Sequence, residues 1–183
     1  MASTISAGTT SGTAIVVSGD TTGNLAFQTQ AGANTITVPN VTGIIMVSGN
    51  MPAFSAYQTT GTALSAGTTT KVLFDTELFD TNSNFASSTF TPTVAGYYQV
   101  NACVFVSGTV SALLTILNAS NGASRSGSIT NIAGQGQAAS TASAVMYFNG
   151  STDYVEVQVF SSDVLTTLTG QYTHFSAAMV RSA

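Results

Sequence analysis

From Tyr97 to Val106 the chain alternates with a period of two. Tyr98, Val100, Ala102, Val104 and Val106 fall on one side, and Tyr97, Gln99, Asn101, Cys103 and Phe105 on the other. A period of two predicts a β-strand, because successive side chains point to opposite faces of a sheet. Related runs follow. "TKVLFDTEL" (Thr70 to Leu78) predicts one strand, and "SALLTILNAS" a strand closed by a hairpin at Asn121-Gly122. "SAVMYFNGSTDYVEVQVFSS" predicts two strands joined at Asn149-Gly150, a favoured hairpin dipeptide. "HFSAAMVRSA" predicts a closing strand. Leu, Glu, Lys and Arg are sparse, while Thr, Val, Ser, Tyr and Phe are plentiful. β-branched and aromatic side chains suit a pleated, half-buried surface. Turn signals recur about every 8–12 residues, the spacing of a sandwich or barrel.

Residues 1–50 read differently. Short apolar runs at Ala14–Val17, Leu25–Gln28, Thr35–Val38 and Ile44–Val47 are separated by Gly, Asn and Asp turns. Strands this short bury little by themselves. Met51-Pro52 marks the expected boundary. Residues 1–50 form a β-rich arm, and residues 51–183 are of a size for one sandwich.

The segment "FTPTVAGYYQV" sets up the longest strand. Gly96 is expected to take a positive φ, letting the chain turn sharply after Pro92. Tyr98 then enters the core with Val100. The opposite side carries Tyr97 and Phe105 beside Gln99 and Asn101. In a monomeric sandwich that face should be plainly polar. A face half aromatic and half amide suits a subunit interface. The expected core residues are Phe54, Phe74, Tyr98, Val100, Val155, Val157 and Phe175. The expected interface residues are Tyr57, Tyr97, Phe105 and Tyr172.

Charge changes the picture further. Only 5% of residues are charged, against roughly 25% in ordinary soluble domains. With 44% hydrophobic residues and a net charge of -4, the chain lacks the composition of disorder. A neutral, hydroxyl-rich surface also lacks charge repulsion between copies, which favours a permanent assembly. The three basic residues, Lys71, Arg125 and Arg181, are scattered. Nucleic-acid binding needs them clustered, so that partner is excluded, as is an anionic membrane. Apolar runs such as "GIIMV" fall far short of the ~20 residues that span a bilayer. "MASTISAGTT" has neither the basic nor the apolar region of a secretory signal.

Candidate chemistry is thin. The sequence contains no G-x-S-x-G, H-E-x-x-H, phosphate-loop or dinucleotide motif. His174 is the single histidine and reads as a strand residue. Cys103 has no second cysteine to pair with and no basic neighbour in sequence, so it reads as a small apolar residue. Asp75, Glu77 and Asp80 are the densest carboxylates and the only set placed to serve calcium, which takes six to eight oxygens. A solvated strand end and turn is the preferred reading of them. No catalytic residue and no cofactor is expected.

Residues 52–180 resemble the globular head of the C1q/tumour-necrosis-factor-like family. The resemblance is carried by Pro52-Ala53-Phe54-Ser55-Ala56, then Val72, Phe74 and Asp75, then Asn82 and Asn84. Phe90, Thr91, Pro92, Gly96 and Tyr98 follow, then Gly150, Asp153, Val155 and Val157, and last Phe175-Ser176-Ala177. It departs from the family pattern where two residues separate Gly150 from Asp153, and where Ala177 replaces glycine. The resemblance implies an all-β, antiparallel jelly-roll sandwich that assembles as a closed homotrimer, and calcium in some members. "SGDTTGNLAFQTQAGANTITV" resembles the Gly/Thr/Asn-rich β segments of bacteriophage tail fibres and related virion proteins. The two together imply a non-enzymatic structural protein on the surface of a tailed bacteriophage particle. It would be a capsid decoration (cement) or short head-fibre protein, held to capsid or tail proteins through residues 1–50. A tail-fibre tip binding a host surface glycan or protein is the second expectation. Its contact region would be the loops 118–127 and 131–140, with Asn121 and Arg125. A secreted C1q-like binding module is the third.

Overall fold

A computed structural model describes residues 51–183, apart from 109, 111 and 133–135, and the strands Leu25–Gln28 and Thr35–Val38. The chain divides into two compact units, Met1–Ile44 and Ile45–Ala183. In the first, β1 (Leu25–Gln28) and β2 (Thr35–Val38) form an antiparallel pair, with Leu25 opposite Val38. The expected strands at Ala14–Val17 and Ile44–Val47 lie outside the described residues.

Among its described residues the second unit carries fourteen strands. They are β3 (Ala53–Gln58), β4 (Ala63–Leu64), β5 (Thr68–Lys71), β6 (Thr76–Asp80), β7 (Phe85–Ala86), β8 (Thr89–Phe90) and β9 (Gly96–Ser107). Then come β10 (Leu113–Ala119), β11 (Arg125–Ser126), β12 (Ser128–Ile132), β13 (Gln137–Phe148), β14 (Val155–Ser161), β15 (Leu165–Thr166) and β16 (Gly170–Ser182). Every pairing among them is antiparallel. One sheet runs β12-β13-β9-β16-β3-β6. The other runs β11-β10-β14-β8-β7, with β5 also on β14. The fold is an all-β, antiparallel jelly-roll sandwich.

The core lies between the two sheets. The ring of Phe54 stacks on Phe85 and Phe90, each with ring centroids 4.6 Å away, and meets Phe175 edge-on at 4.9 Å. Tyr98, Phe90 and Phe148 continue the cluster. Phe74, Val100, Val155 and Val157 are buried with it. Along β9 the residues Tyr98, Val100, Ala102, Val104 and Val106 all turn inward.

Three local expectations are corrected. Thr70 to Leu78 is not one strand. The chain leaves the second sheet after β5 and joins the first at β6, and Val72–Asp75 is the crossing. Val72 and Phe74 stay buried there, which is why the apolar pattern runs unbroken through the crossing. Asn149-Gly150 does not close a hairpin, because β13 and β14 belong to different sheets. The loop between them is built on side chains instead: Asn149 Oδ1 accepts the backbone N–H groups of Ser151, Thr152 and Asp153 at 2.9–3.1 Å. Gly96 does not adopt a positive φ. The bend falls at Thr93–Val94, and Gly96 is the first residue of β9, paired with Phe148 and Ser182. The corner is fixed by the Tyr98 hydroxyl, which donates to the Val94 carbonyl at 2.7 Å. Burial pushes that phenol far above its ordinary pKa. At Asn121-Gly122 the hairpin does form: β10 pairs with β11, and Gly122 takes φ +79°.

Buried polar groups are consistently paired. Gln58 Nε2 donates to Thr62 Oγ1 at 2.6 Å and to the Leu73 carbonyl at 2.7 Å, while its Oε1 accepts from Thr167. Thr115 donates two hydrogen bonds across to the other sheet, from its N–H to Ser140 Oγ and from its hydroxyl to the Ser140 carbonyl. Such groups cost about 1–3 kcal/mol each when left unpaired.

Candidate functional site

The outward face of the first sheet stands apart from the rest of the surface. Its residues can be placed by register. Tyr147 on β13 lies opposite Tyr97 on β9, which lies opposite Arg181 on β16. The next row is Val145, Gln99, Ala178 and Ala53. The third is Ser143, Asn101, Ser176, Ser55 and Phe79. The fourth is Thr141, Cys103, His174 and Tyr57. Beyond it Phe105 faces Ala139 and packs on Tyr172, with centroids 5.7 Å apart. Tyr97 and Tyr147 pack at 5.5 Å.

The sheet therefore gathers Tyr57, Tyr97, Phe105 and Tyr172 on one face. They come from three strands, and the even spacing along β9 and β16 puts them there. Tyr172 is 66% exposed, Val145 53%, and Tyr97 and Tyr147 42% each. Exposed aromatic and aliphatic side chains grouped at both ends of one face mark a contact site more often than a solvent face. Val145, Tyr147, Val180 and Phe79 belong to the same surface and were not among the expected interface residues. The signal for two of them was present in "SAVMYF", where Val145 and Tyr147 alternate with the buried Met146 and Phe148.

A cavity of about 330 Å³ opens beside the Phe105–Tyr172 pair and is lined also by Gln137, Leu168 and Thr169. None of these five residues is charged, so they present aromatic faces, an amide and a hydroxyl.

The other expected site residues have local duties. Asp75 accepts the backbone N–H groups of Thr59 at 2.6 Å and Thr60 at 2.9 Å. Asp80 accepts from Phe85 N–H at 2.7 Å and from Asn82 N–H. Glu77 is exposed on the edge strand β6, opposite Ala56. Among the described residues no group of three or more His, Cys, Asp or Glu is placed to hold a metal. Two of the three candidate calcium carboxylates, Asp75 and Asp80, are engaged by backbone donors. Cys103 is buried, and burial pushes its thiol up, away from nucleophilic use. His174 Nδ1 lies 3.0 Å from the Gln171 carbonyl within its own strand. Lys71 pairs with Glu156 at 2.8 Å; burial works to raise that carboxyl's pKa, and its bonds to Lys71 and Gln158 outweigh the burial and lower it.

Asn121 Nδ2 donates to the Tyr147 carbonyl and to Asp153, which ties the β10–β11 hairpin to the loop after β13. Arg125 Nη1 bonds the neighbouring Ser124 carbonyl. Residues 131–140 run into the start of β13, while Asn121 contacts its far end. Within the first expected contact loop, Asn121 lies at the far end of β13 and Gly127 lies against Thr141 near its middle. Residues 133–135 of the second loop lie outside the described set.

The carboxyl of Asp75 predicts a pH effect. Burial works to raise its pKa, but the Thr59 and Thr60 donors more than offset this and hold it at about 2, below the ordinary 3.8. A depressed folded-state value means the stabilisation is complete above 3.8 and fades as pH falls towards 2. Because the group is largely exposed, the effect is small. Asp75→Asn should flatten this part of the stability curve in acid denaturation. An unchanged acid limb would show that the loop bonds do not form in solution.

No protein family matches the chain's sequence, and no curated protein does. Solved structures do match its fold. The globular domain of zebrafish complement 1qA aligns with TM-score 0.54 at 19% identity, covering 72% of this chain and 99% of that one. Murine APRIL at pH 8.0 aligns with TM-score 0.55 at 8% identity, covering 71% and 99%. Eiger TNF from S. frugiperda aligns with TM-score 0.55 at 11% identity, covering 73% and 95%. The fold is the C1q/TNF-type jelly roll. The matched share corresponds in extent to the second unit, and identity this low establishes fold alone.

Proposed function

We propose that the protein is a non-enzymatic homotrimer whose subunits meet through the outward face of the first sheet. One observation carries this: a broad aromatic and aliphatic face, bare of charge except at its margins, on a chain with little charge anywhere. A face of that kind left in water invites uncontrolled association. A closed three-fold ring buries it and leaves no open edge for further growth. The family resemblance of residues 52–180 supplies the number three.

Within that assembly, residues 1–50 attach the trimer to a larger body and the jelly roll projects from it. The Gly/Thr/Asn-rich β composition of the arm supports a virion surface, as a capsid decoration or short head fibre, with a tail-fibre tip as the neighbouring role. Three identical weak sites on such a trimer gain avidity from geometry alone. The structural likeness to the complement 1qA globular domain favours a second reading, a free C1q-like binding module.

Light scattering on the full-length chain, followed by sedimentation with bacteriophage particles, tests the whole reading. The expected mass is three times 18.5 kDa, about 55 kDa. A monomer overturns the interface. A trimer that sediments with particles only when residues 1–50 are present supports the virion role. A trimer indifferent to particles leaves the binding module.

A further inference from the structure

The middle of the aromatic face is polar, which is the reverse of the usual apolar centre and polar rim. Gln99 and Asn101 sit on β9, next to β16 at the centre of the six-stranded sheet. Ser143, Ser176 and Ser55 extend the Asn101 row across four strands, and Gln99 reaches it from the adjoining row. Aromatic pairs flank the row on both sides, Tyr97–Tyr147 and Phe105–Tyr172.

The hydrogen bonds within this row are one-sided. Gln99 Nε2 donates to Asn101 Oδ1 at 3.1 Å and to Ser143 Oγ at 2.9 Å. Ser143 Oγ donates to Asn101 Oδ1 at 2.7 Å. Asn101 Oδ1 is thereby filled twice and the Gln99 amide nitrogen is spent. Among the described residues, the bonds of these two amides use neither Asn101 Nδ2 nor Gln99 Oε1. Each subunit is left with one unused amide donor and one unused amide acceptor, two residues apart on the same strand.

Resting on the trimer reading, we propose that these two groups close a ring of amide hydrogen bonds between subunits. Asn101 Nδ2 of each copy donates to Gln99 Oε1 of the next. Closed around a three-fold axis, the pairing satisfies the donor and the acceptor of every subunit, and the family resemblance of residues 52–180, not the pairing itself, supplies the number three. The apolar rows supply the affinity. The amide ring fixes register, because docking in another register leaves buried amides unpaired. A single buried polar position sets oligomer state in coiled coils by the same physics.

Asn101→Asp in the full-length chain tests the ring. It replaces the donor with an acceptor and brings three carboxylates together. Like charges raise one another's pKa, and each unit of that rise weakens assembly about tenfold at neutral pH. The expected result is a chain that dissociates at pH 7 and returns to trimer as pH falls below about 4, the ordinary Asp value. Thr69→Asp, on the exposed β5 of the other sheet, should remain trimeric at both pH values. Asn101→Leu serves as a second variant where the aspartate disturbs folding. It should fold and associate, but as a mixture of sizes. Sharp trimers for both Asn101 variants at pH 7, beside a trimeric wild type, overturn the ring and leave the interface standing. A monomeric wild type overturns both.

Discussion

Phe54→Ala should lower the unfolding free energy by about 3–5 kcal/mol, the cost of emptying a buried phenylalanine site. Phe54 is 1% exposed. It sits on β3 in one sheet, yet two of its ring partners, Phe85 and Phe90, belong to the short strands β7 and β8 of the other. Its third, Phe175, comes from β16. Removing this ring leaves three others facing a void, and aromatic pairs contribute about 0.5–1.5 kcal/mol each beyond area burial. Phe85 and Phe90 both stack directly on this ring, so the two-residue strands β7 and β8 should loosen first. Total stabilities of about 5–15 kcal/mol make this a large share. Denaturant unfolding at fixed protein concentration measures it, since association also adds to apparent stability. Phe54→Leu, which keeps more of the volume, should cost clearly less. A loss under about 1 kcal/mol for the alanine variant would contradict the placement of Phe54 at the junction of the sheets.

That junction was legible in the sequence because its residues repeat every second position. Period two puts Tyr98, Val100, Val155 and Val157 on one side whatever the sheet does next. The same pattern is blind to a change of sheet. Val72 and Phe74 stay buried while the backbone crosses from β5 to β6, so apolar alternation continues where the ladder breaks. Asn149-Gly150 misled for a related reason. The dipeptide reports a tight local turn, and Gly150 does take φ +72°, but the turn feeds a crossover whose partners are fixed by β10 and β9. The aromatic face was half legible. Tyr97 and Phe105 lie on the longest alternating run; Val145 and Tyr147 alternate in a run of their own, and only the β9–β13 register brings the two runs to one face. The carboxylates were legible as a cluster and not as individuals. Asp75 and Asp80 each serve backbone N–H groups supplied by distant segments or turns, and sequence spacing does not reveal those donors.

Gly96 and Gly67 are glycines for different reasons, and substitution at Gly96 should be the more damaging. A Cβ at Gly96 would overlap the Arg181 carbonyl oxygen and would lie 3.0 Å from Met179 Cε and 3.1 Å from Ser182 Cα. The oxygen belongs to β16, the strand that pairs with β9, so it cannot retreat without opening the ladder. The backbone at Gly96 is ordinary, and the constraint is space. Even Gly96→Ala should therefore cost about 3 kcal/mol or more, at the upper end of overpacking, and Gly96→Val should fail to fold. Gly67 is the opposite case, with φ +70° and nothing within 4 Å of an added Cβ. Gly67→Ala should cost only the left-handed penalty, about 1–2 kcal/mol. Thermal unfolding of the two alanine variants side by side decides between space and torsion. Should Gly67→Ala be the worse of the pair, or Gly96→Ala melt with the wild type, the close approach of β9 to β16 would be wrong. The strand register that aligns Tyr97 with Tyr147 and Arg181 would then lose its anchor at that end of the face.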